Sequence, residues 1–240
     1  MNFGQPDQAL AGARYARLAD RYDESCRRIA PIREEAVALL GLRAGDTVLD
    51  VGCGTGLSFP LLYAGVGSTG RVVGIELSAH MSAMAHQRAT GLDAQCIRVV
   101  EGPANAVALG TVRFDAVLFH YTHDVLRSTD ALAHLFTLVK PGARVAVAGV
   151  KFGSNWVLPL SLIAMFRARN YLTTFEGIRA PWGHLLRSVP DFRWQPRLAG
   201  TSYVGWGHAT QPCQAERAPS RSEAVGNASV ADPRGQSCLE

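Results

Sequence analysis

The sequence predicts a doubly wound α/β domain, a sheet of about seven strands, mostly parallel, between helical layers in an αβα arrangement. Short Val-, Ile- and Leu-rich runs alternate with helical segments between residues 47 and 150, and the turn signals GLRAGD, GVGSTG and KPGA stand between regular elements. Runs that are apolar throughout belong to parallel strands buried on both faces, and helical crossovers join such strands. A third observation completes the sheet: two strand-like runs over 192–198 and 202–208, separated by AGT, predict an antiparallel pair at the C-terminal edge.

Residues 1–40 predict a helical cap, with helices over 10–20 and 25–40 and Pro31 at a helix start or kink. The main domain spans 41–209. Its strands are expected over 47–51, 71–75, 95–100, 114–120 and 144–150, its helices over 58–63, 79–90, 104–108 and 128–139. Ser78 reads as the N-cap of the second helix. Residues 151–175, rich in aromatic, Leu and Arg side chains, predict a helical insertion above the sheet's carboxyl edge, and a helix follows near 181–188. From 210 to 240 large apolar residues are scarce, so burial cannot offset the entropy of ordering and the segment predicts a disordered tail.

A chain of 240 residues with 48% hydrophobic residues supports one substantial core. The net charge of +4 comes without a block of consecutive Lys or Arg, which argues against a nucleic-acid partner. The five cysteines are widely spaced, with no CxxC pair, and read as reduced thiols of a cytoplasmic protein without a metal site. MNFGQPDQAL is not patterned as a secretory signal, and the longest strongly apolar run, 156–166, is about half of what spans a bilayer. A monomer or homodimer is expected.

The most specific stretch is VLDVGCGTG at 48–56. A strand running into glycines and then a helix lets backbone N–H groups approach a ligand with no side chain between. A dinucleotide loop needs G-x-G-x-x-G, whereas here the glycines are Gly52, Gly54 and Gly56, and Leu57 stands where the third would fall. Asp50 just before the loop would repel a pyrophosphate and suits a cationic or zwitterionic ligand. Glu76, ending RVVGIE, is placed to accept both hydroxyls of a ribose. Cys53 between the glycines reads as a small filler, since no base adjoins it.

VLDVGCGTG resembles the first motif of class I S-adenosylmethionine-dependent methyltransferases, which share a Rossmann-like fold. The resemblance extends to RVVGIE, to RFDAVLFHYTHDVL and to LVKPGARVAVAG, and so covers about 47–149. It implies S-adenosyl-L-methionine as cofactor, with S-adenosyl-L-homocysteine as product. It also implies a cofactor set of Tyr22, Asp50, Gly52, Cys53, Gly54, Gly56, Glu76, Leu77, Met81, Gly102, Pro103, Ala104 and His120. The family's usual Gly-Asp-Ala is here Gly102-Pro103-Ala104, so adenine contacts are expected from the Ala104 backbone, with Asn105 beside it. Tyr22-Asp23 resembles a Tyr-Asp pair of small-molecule methyltransferases in which the aromatic closes over the cofactor.

Methyl transfer is a displacement that needs the acceptor aligned and, where it carries a proton, deprotonated. Residues after the fourth strand lie beside the ligand crevice, and there the sequence reads HYTHD. His120, Tyr121 and His123 are the candidate catalytic residues; Asp124 reads as a carboxylate partner for His123 or, in preference, as a helix N-cap. Tyr15, His123, Phe152, Asn155, Trp156 and His184 are the candidate acceptor contacts. Trp182 and Tyr203 would add to the pocket or the core, and Trp194 and Trp206 are expected in the core. The acceptor is expected to be a small apolar or aromatic molecule. The overall pattern is similar to ubiquinone/menaquinone-type, phospholipid N- and natural-product methyltransferases, so a lipid-like acceptor met at a membrane surface is the alternative. From other classes the rivals are a non-catalytic S-adenosylmethionine-binding domain and an NAD(P)-dependent oxidoreductase; the glycine spacing and the absence of Tyr-x-x-x-Lys oppose the latter.

Overall fold

The computed structural model describes residues 4–7, 9–11, 14, 22–92, 95–152, 166 and 172–210. Most of the predicted helix over 10–20, most of the insertion and the tail beyond residue 210 lie outside the described residues, as do Tyr15, Asn155 and Trp156.

Seven strands form one sheet: β1 (Thr47–Val51), β2 (Arg71–Glu76), β3 (Ile97–Glu101), β4 (Phe114–His120), β5 (Val139–Val150), β6 (Arg193–Arg197) and β7 (Ser202–His208). Their order is β3-β2-β1-β4-β5-β7-β6, with β1 to β5 parallel to their neighbours. β7 pairs antiparallel with both β5 and β6. Among the described residues the principal helices are α1 (Ala30–Leu39), α2 (Phe59–Val66), α3 (Ala79–Gly91), α4 (His123–Leu126) and α5 (Thr129–Thr137).

Side chains alternate across a strand, so each buried strand serves two cores. On one face Ala36 of α1 with its C-cap Leu40, Phe59 and Leu62 of α2 and Ala85 of α3 pack on Val48, Leu118 and Ala146. On the other, Leu132, Leu135 and Phe136 of α5 join Leu185 and Val189 over Leu49, Val117, Val147 and Tyr203. Pro31 sits in the first turn of α1, where its missing N–H costs no helical bond, and Ser78 caps α3 by accepting from the Met81 N–H.

Several expectations are corrected. No helix forms over 104–108: the segment is a set of turns in which the Ala106 and Val107 N–H groups both donate to the Pro103 carbonyl. Between Pro181 and Ser188 only a 3-10 turn, Leu185–Arg187, is regular, because Pro181 and Gly183 interrupt the helical pattern. β5 begins earlier than expected. Pairing jumps from Phe114↔Val139 to Ala116↔Arg144, so the Lys-Pro-Gly turn bulges from a continuing strand while Lys140 bonds Asp115 at 2.7 Å. Trp194 is 40% exposed rather than core, since β6 is an edge strand.

Gly56 (φ 78) lets α2 pack closely on α3: a Cβ there would stand 2.6 Å from the Phe59 ring and 3.4 Å from Ala85 Cα. Gly142 (φ 75) has nothing within 4 Å. Gly142→Ala should therefore cost only left-handed strain, about 1 kcal/mol, whereas Gly56→Ala adds overpacking for a total of about 2–4 kcal/mol. Urea unfolding of the two variants checks this, and equal losses would contradict it.

Candidate functional site

The strand order reverses between β1 and β4, and at such a switch point the crevice outside the carboxyl ends of the strands is the usual ligand site. A cavity of about 540 Å³ opens there, within the range of small-molecule sites. Gly52 and Gly54 contribute from the loop after β1, Ile75, Glu76 and Leu77 from the end of β2, and residues 102–105 from the turn after β3. Opposite lie residues 120–125 and the start of α5, residues 128–131. Residues 5–7, Ala11, Tyr22 and Leu172 complete the lining.

Glu76 organises the cofactor side of this cavity. Its carboxylate accepts from the Gly54 N–H at 2.9 Å and the Ser78 N–H at 2.8 Å, tying the glycine loop to the start of α3. Burial raises its pKa, and the backbone donors oppose that rise. Each oxygen retains acceptor capacity for a ligand hydroxyl. Gly54 (φ 58) adopts a left-handed conformation, and a Cβ there would come within 3.5 Å of the Tyr22 ring, so the aromatic lies directly over the loop.

Behind the loop, Asp50 is 1% exposed and its Oδ2 has no hydrogen-bond partner. Burial raises its pKa to about 7, despite the field of the buried Arg33 and with the help of Glu76. Arg33, on α1, has an unpartnered buried Nε, and no ion pair joins it to Asp50 among the described residues. A buried acid and a buried base thus stand near each other with unsatisfied atoms. That is a donor set for a zwitterion bearing an ammonium and a carboxylate, and it fits the amino-acid end of S-adenosylmethionine. Cys53 lies beside Gly74 in the packing, with burial raising its thiol pKa well above the ordinary range. Cys53, Gly56 and Met81, like Asp50, stand behind the cavity lining rather than on it.

Across the cavity from the glycine loop, the His120 Nε2 has no hydrogen-bond partner, while the ring of the buried His123 faces the Glu176 backbone, which opposes part of the fall in its pKa. Burial, with Arg33 adding to it, lowers the His120 pKa to about 3; burial, with Arg127 adding to it, lowers that of His123 to about 4. Both imidazoles are therefore neutral near pH 7, each with a nitrogen able to accept a proton or hydrogen bond. Tyr121 (φ 60) lines the same cavity, but its hydroxyl meets Ser202 Oγ at 2.6 Å and its pKa is pushed by burial to about 12. Asp124 does not cap a helix: Thr122 precedes α4, and the Asp124 carboxylate accepts from the Thr173 hydroxyl at 2.6 Å and N–H at 3.0 Å. Phe152 packs against Leu172, Phe175 and Ile178, and His184 stands near Arg127 and Glu176; neither lines the cavity.

Three contributions go beyond the sequence reading, which names Asp23 only as the neighbour of Tyr22. Arg33 resembles any basic residue of an amphipathic helix until the sheet buries it. Asp23 accepts from the Thr55 hydroxyl and the Arg88 guanidinium, each at 2.5 Å, and so fastens the segment carrying Tyr22 onto the glycine loop and α3. Thr173 accepts from the Asp7 N–H at 3.0 Å while donating to Asp124, and Thr174 donates to the Gly4 carbonyl at 2.6 Å. These bonds join the N-terminal segment to the segment that follows the insertion, above the cavity.

Comparison with known proteins agrees with this geometry. Residues 48–142 match a family described as a methyltransferase domain. The 2-phytyl-1,4-naphtoquinone methyltransferase of Thermosynechococcus vestitus is 31% identical over 180 residues, 69% of this chain and 74% of that protein. The chloroplastic 2-phytyl-1,4-beta-naphthoquinone methyltransferase of Arabidopsis thaliana is 37% identical over 117 residues, and there the match takes in only 44% of the relative. Among solved structures, geranyl diphosphate C-methyltransferase from Streptomyces coelicolor A3(2) shares the fold with a TM-score of 0.60 at 17% identity, covering 88% of this chain and 90% of that one. With the glycine loop, the buried carboxylates and the strand order, these similarities place the chain in the class I S-adenosylmethionine-dependent methyltransferase family.

Proposed function

We propose that the chain transfers a methyl group to a small, apolar, hydroxylated aromatic acceptor of the reduced-quinone type, by direct in-line displacement. The observation that carries this reading is the pairing, in one cavity, of the Glu76 and glycine-loop wall with two neutral histidines, His120 and His123. The naphthoquinone acceptors in the names of the Thermosynechococcus and Arabidopsis relatives support the acceptor class.

Bound S-adenosylmethionine supplies a methyl carbon activated by the adjoining sulfonium. The chain's own residues do the rest. Glu76 would hold the ribose hydroxyls, the buried Asp50 and Arg33 behind the lining would set the field for the ammonium and carboxylate, and Tyr22 would shield the loop from water. Residues 102–105 border the adenine. His123 accepts the proton of the acceptor's hydroxyl as the ring carbon bonds to the methyl group, and His120 borders the transfer path. With pKa values of about 3 and 4 these imidazoles are weak bases, so deprotonation proceeds in concert with displacement rather than ahead of it. Tyr121 positions the turn through Ser202.

Two measurements check this reading. Glu76→Ala should weaken S-adenosylhomocysteine binding in calorimetry at least tenfold, on the order of 1.4 kcal/mol, with a smaller loss of folding stability; unchanged affinity would remove Glu76 from the site. Turnover with a labelled methyl donor should favour reduced naphthoquinones over amine and thiol acceptors. There His123→Ala should lower kcat by about 10²- to 10⁴-fold while leaving S-adenosylhomocysteine affinity intact. A loss below about threefold would exclude a proton-transfer role for His123.

A further inference from the structure

The positive charge of the chain is unevenly placed. Residues 151–210 carry seven basic side chains against two acidic ones, Glu176 and Asp191, while the whole chain has a net charge of +4, so the remainder is slightly acidic. Both acids are engaged, Glu176 by Arg127 and Asp191 by His208. Arg179, Arg187 and Arg193 are exposed and have no ion-pair partner among the described residues.

Large apolar side chains are exposed in the same region. Trp194 is 40% exposed, with its inner side against Trp182 and the Lys151 ammonium 5.2 Å from its ring centroid. Leu198, at the tip of the β6–β7 hairpin, is 52% exposed. Leu198 (φ 47) and Ala199 (φ 51) adopt left-handed conformations that side chains rarely tolerate, and the Leu198 carbonyl accepts from the Thr201 N–H and hydroxyl. The tip lies at the carboxyl edge of the sheet: Ser202 pairs with Val150, and the Lys151 N–H donates to the Thr201 carbonyl. The cavity opens at that edge.

We infer that this face docks on an anionic phospholipid bilayer surface, with Trp194 and Leu198 entering the interface and Lys151 and Arg179 meeting the headgroups. Apolar side chains combined with unpaired basic ones are the requirement for interfacial binding without spanning, and no helix among the described residues is long and apolar enough to cross a membrane. A second copy fits less well. A two-fold contact would set basic face on basic face, and Pro196 within the edge strand offers no N–H to an incoming strand. The inference goes beyond the acceptor reading and does not depend on it.

Co-sedimentation of the full chain with vesicles tests it. Binding is expected to vesicles of phosphatidylglycerol with phosphatidylcholine, and not to phosphatidylcholine alone or at high salt. Trp194→Gln combined with Leu198→Gln should lower partitioning about tenfold, and Lys151→Gln about fivefold, with S-adenosylhomocysteine affinity unchanged as proof of an intact fold. No binding to the anionic vesicles, partitioning unaffected by the double variant, or a dimer in sedimentation velocity that the double variant dissolves would each overturn the inference.

Discussion

Two carboxylates held out of water at the ends of adjacent parallel strands set the terms for the rest of the molecule. Asp50 ends up almost fully buried with an unpartnered oxygen, and Glu76 is buried with both oxygens on backbone donors. Burying charge this way is costly unless a partner compensates. Glu76 is compensated from within, and its hydrogen bonds give the glycine loop its shape. Asp50 is only partly compensated, by the field of Arg33, and its pKa rises to about 7 as a result. A ligand that brings an ammonium to Asp50 and a carboxylate to Arg33 relieves both.

The cover of the cavity follows the same logic of distributed attachment. Asp23 fastens the Tyr22 segment to the glycine loop and α3, while Thr173 and Thr174 join the N-terminal segment to the chain beyond the insertion. Asp124 anchors Thr173 from the turn that carries both histidines. The cover is thus built on the same loops that form the two walls of the cavity. Excluding water there strengthens the electrostatic contacts within and keeps His120 and His123 neutral.

The parts of this arrangement that were legible in the sequence are those that local chemistry decides. β1, β4 and β7 run over the residues expected because each is an apolar run bounded by turn residues, and the left-handed turn after β1 followed from the spacing of Gly52, Gly54 and Gly56. The parts that were not legible depend on partners distant in the chain. Asp124 looks like a helix cap because its true partner, Thr173, is 49 residues away. Arg33 sits at an ordinary helical position and is buried only because α1 packs beside β4 and β5. Residues 104–108 have good helical composition, and the turn after β3 overrides it. Trp194 has strand spacing, but its place on the edge strand, decided by topology, leaves it exposed.

The claim that a partly protonated Asp50 receives the ligand's ammonium can be read as a proton count. At pH 7 a group with a pKa of about 7 is about half protonated, and an adjacent cation lowers that pKa. Calorimetric titration of S-adenosylhomocysteine into the protein, in buffers of different ionisation enthalpy, should show release of about half a proton at pH 7. The release should fade by about pH 8.5 and vanish in Asp50→Asn. An enthalpy independent of buffer at pH 7 would contradict the account.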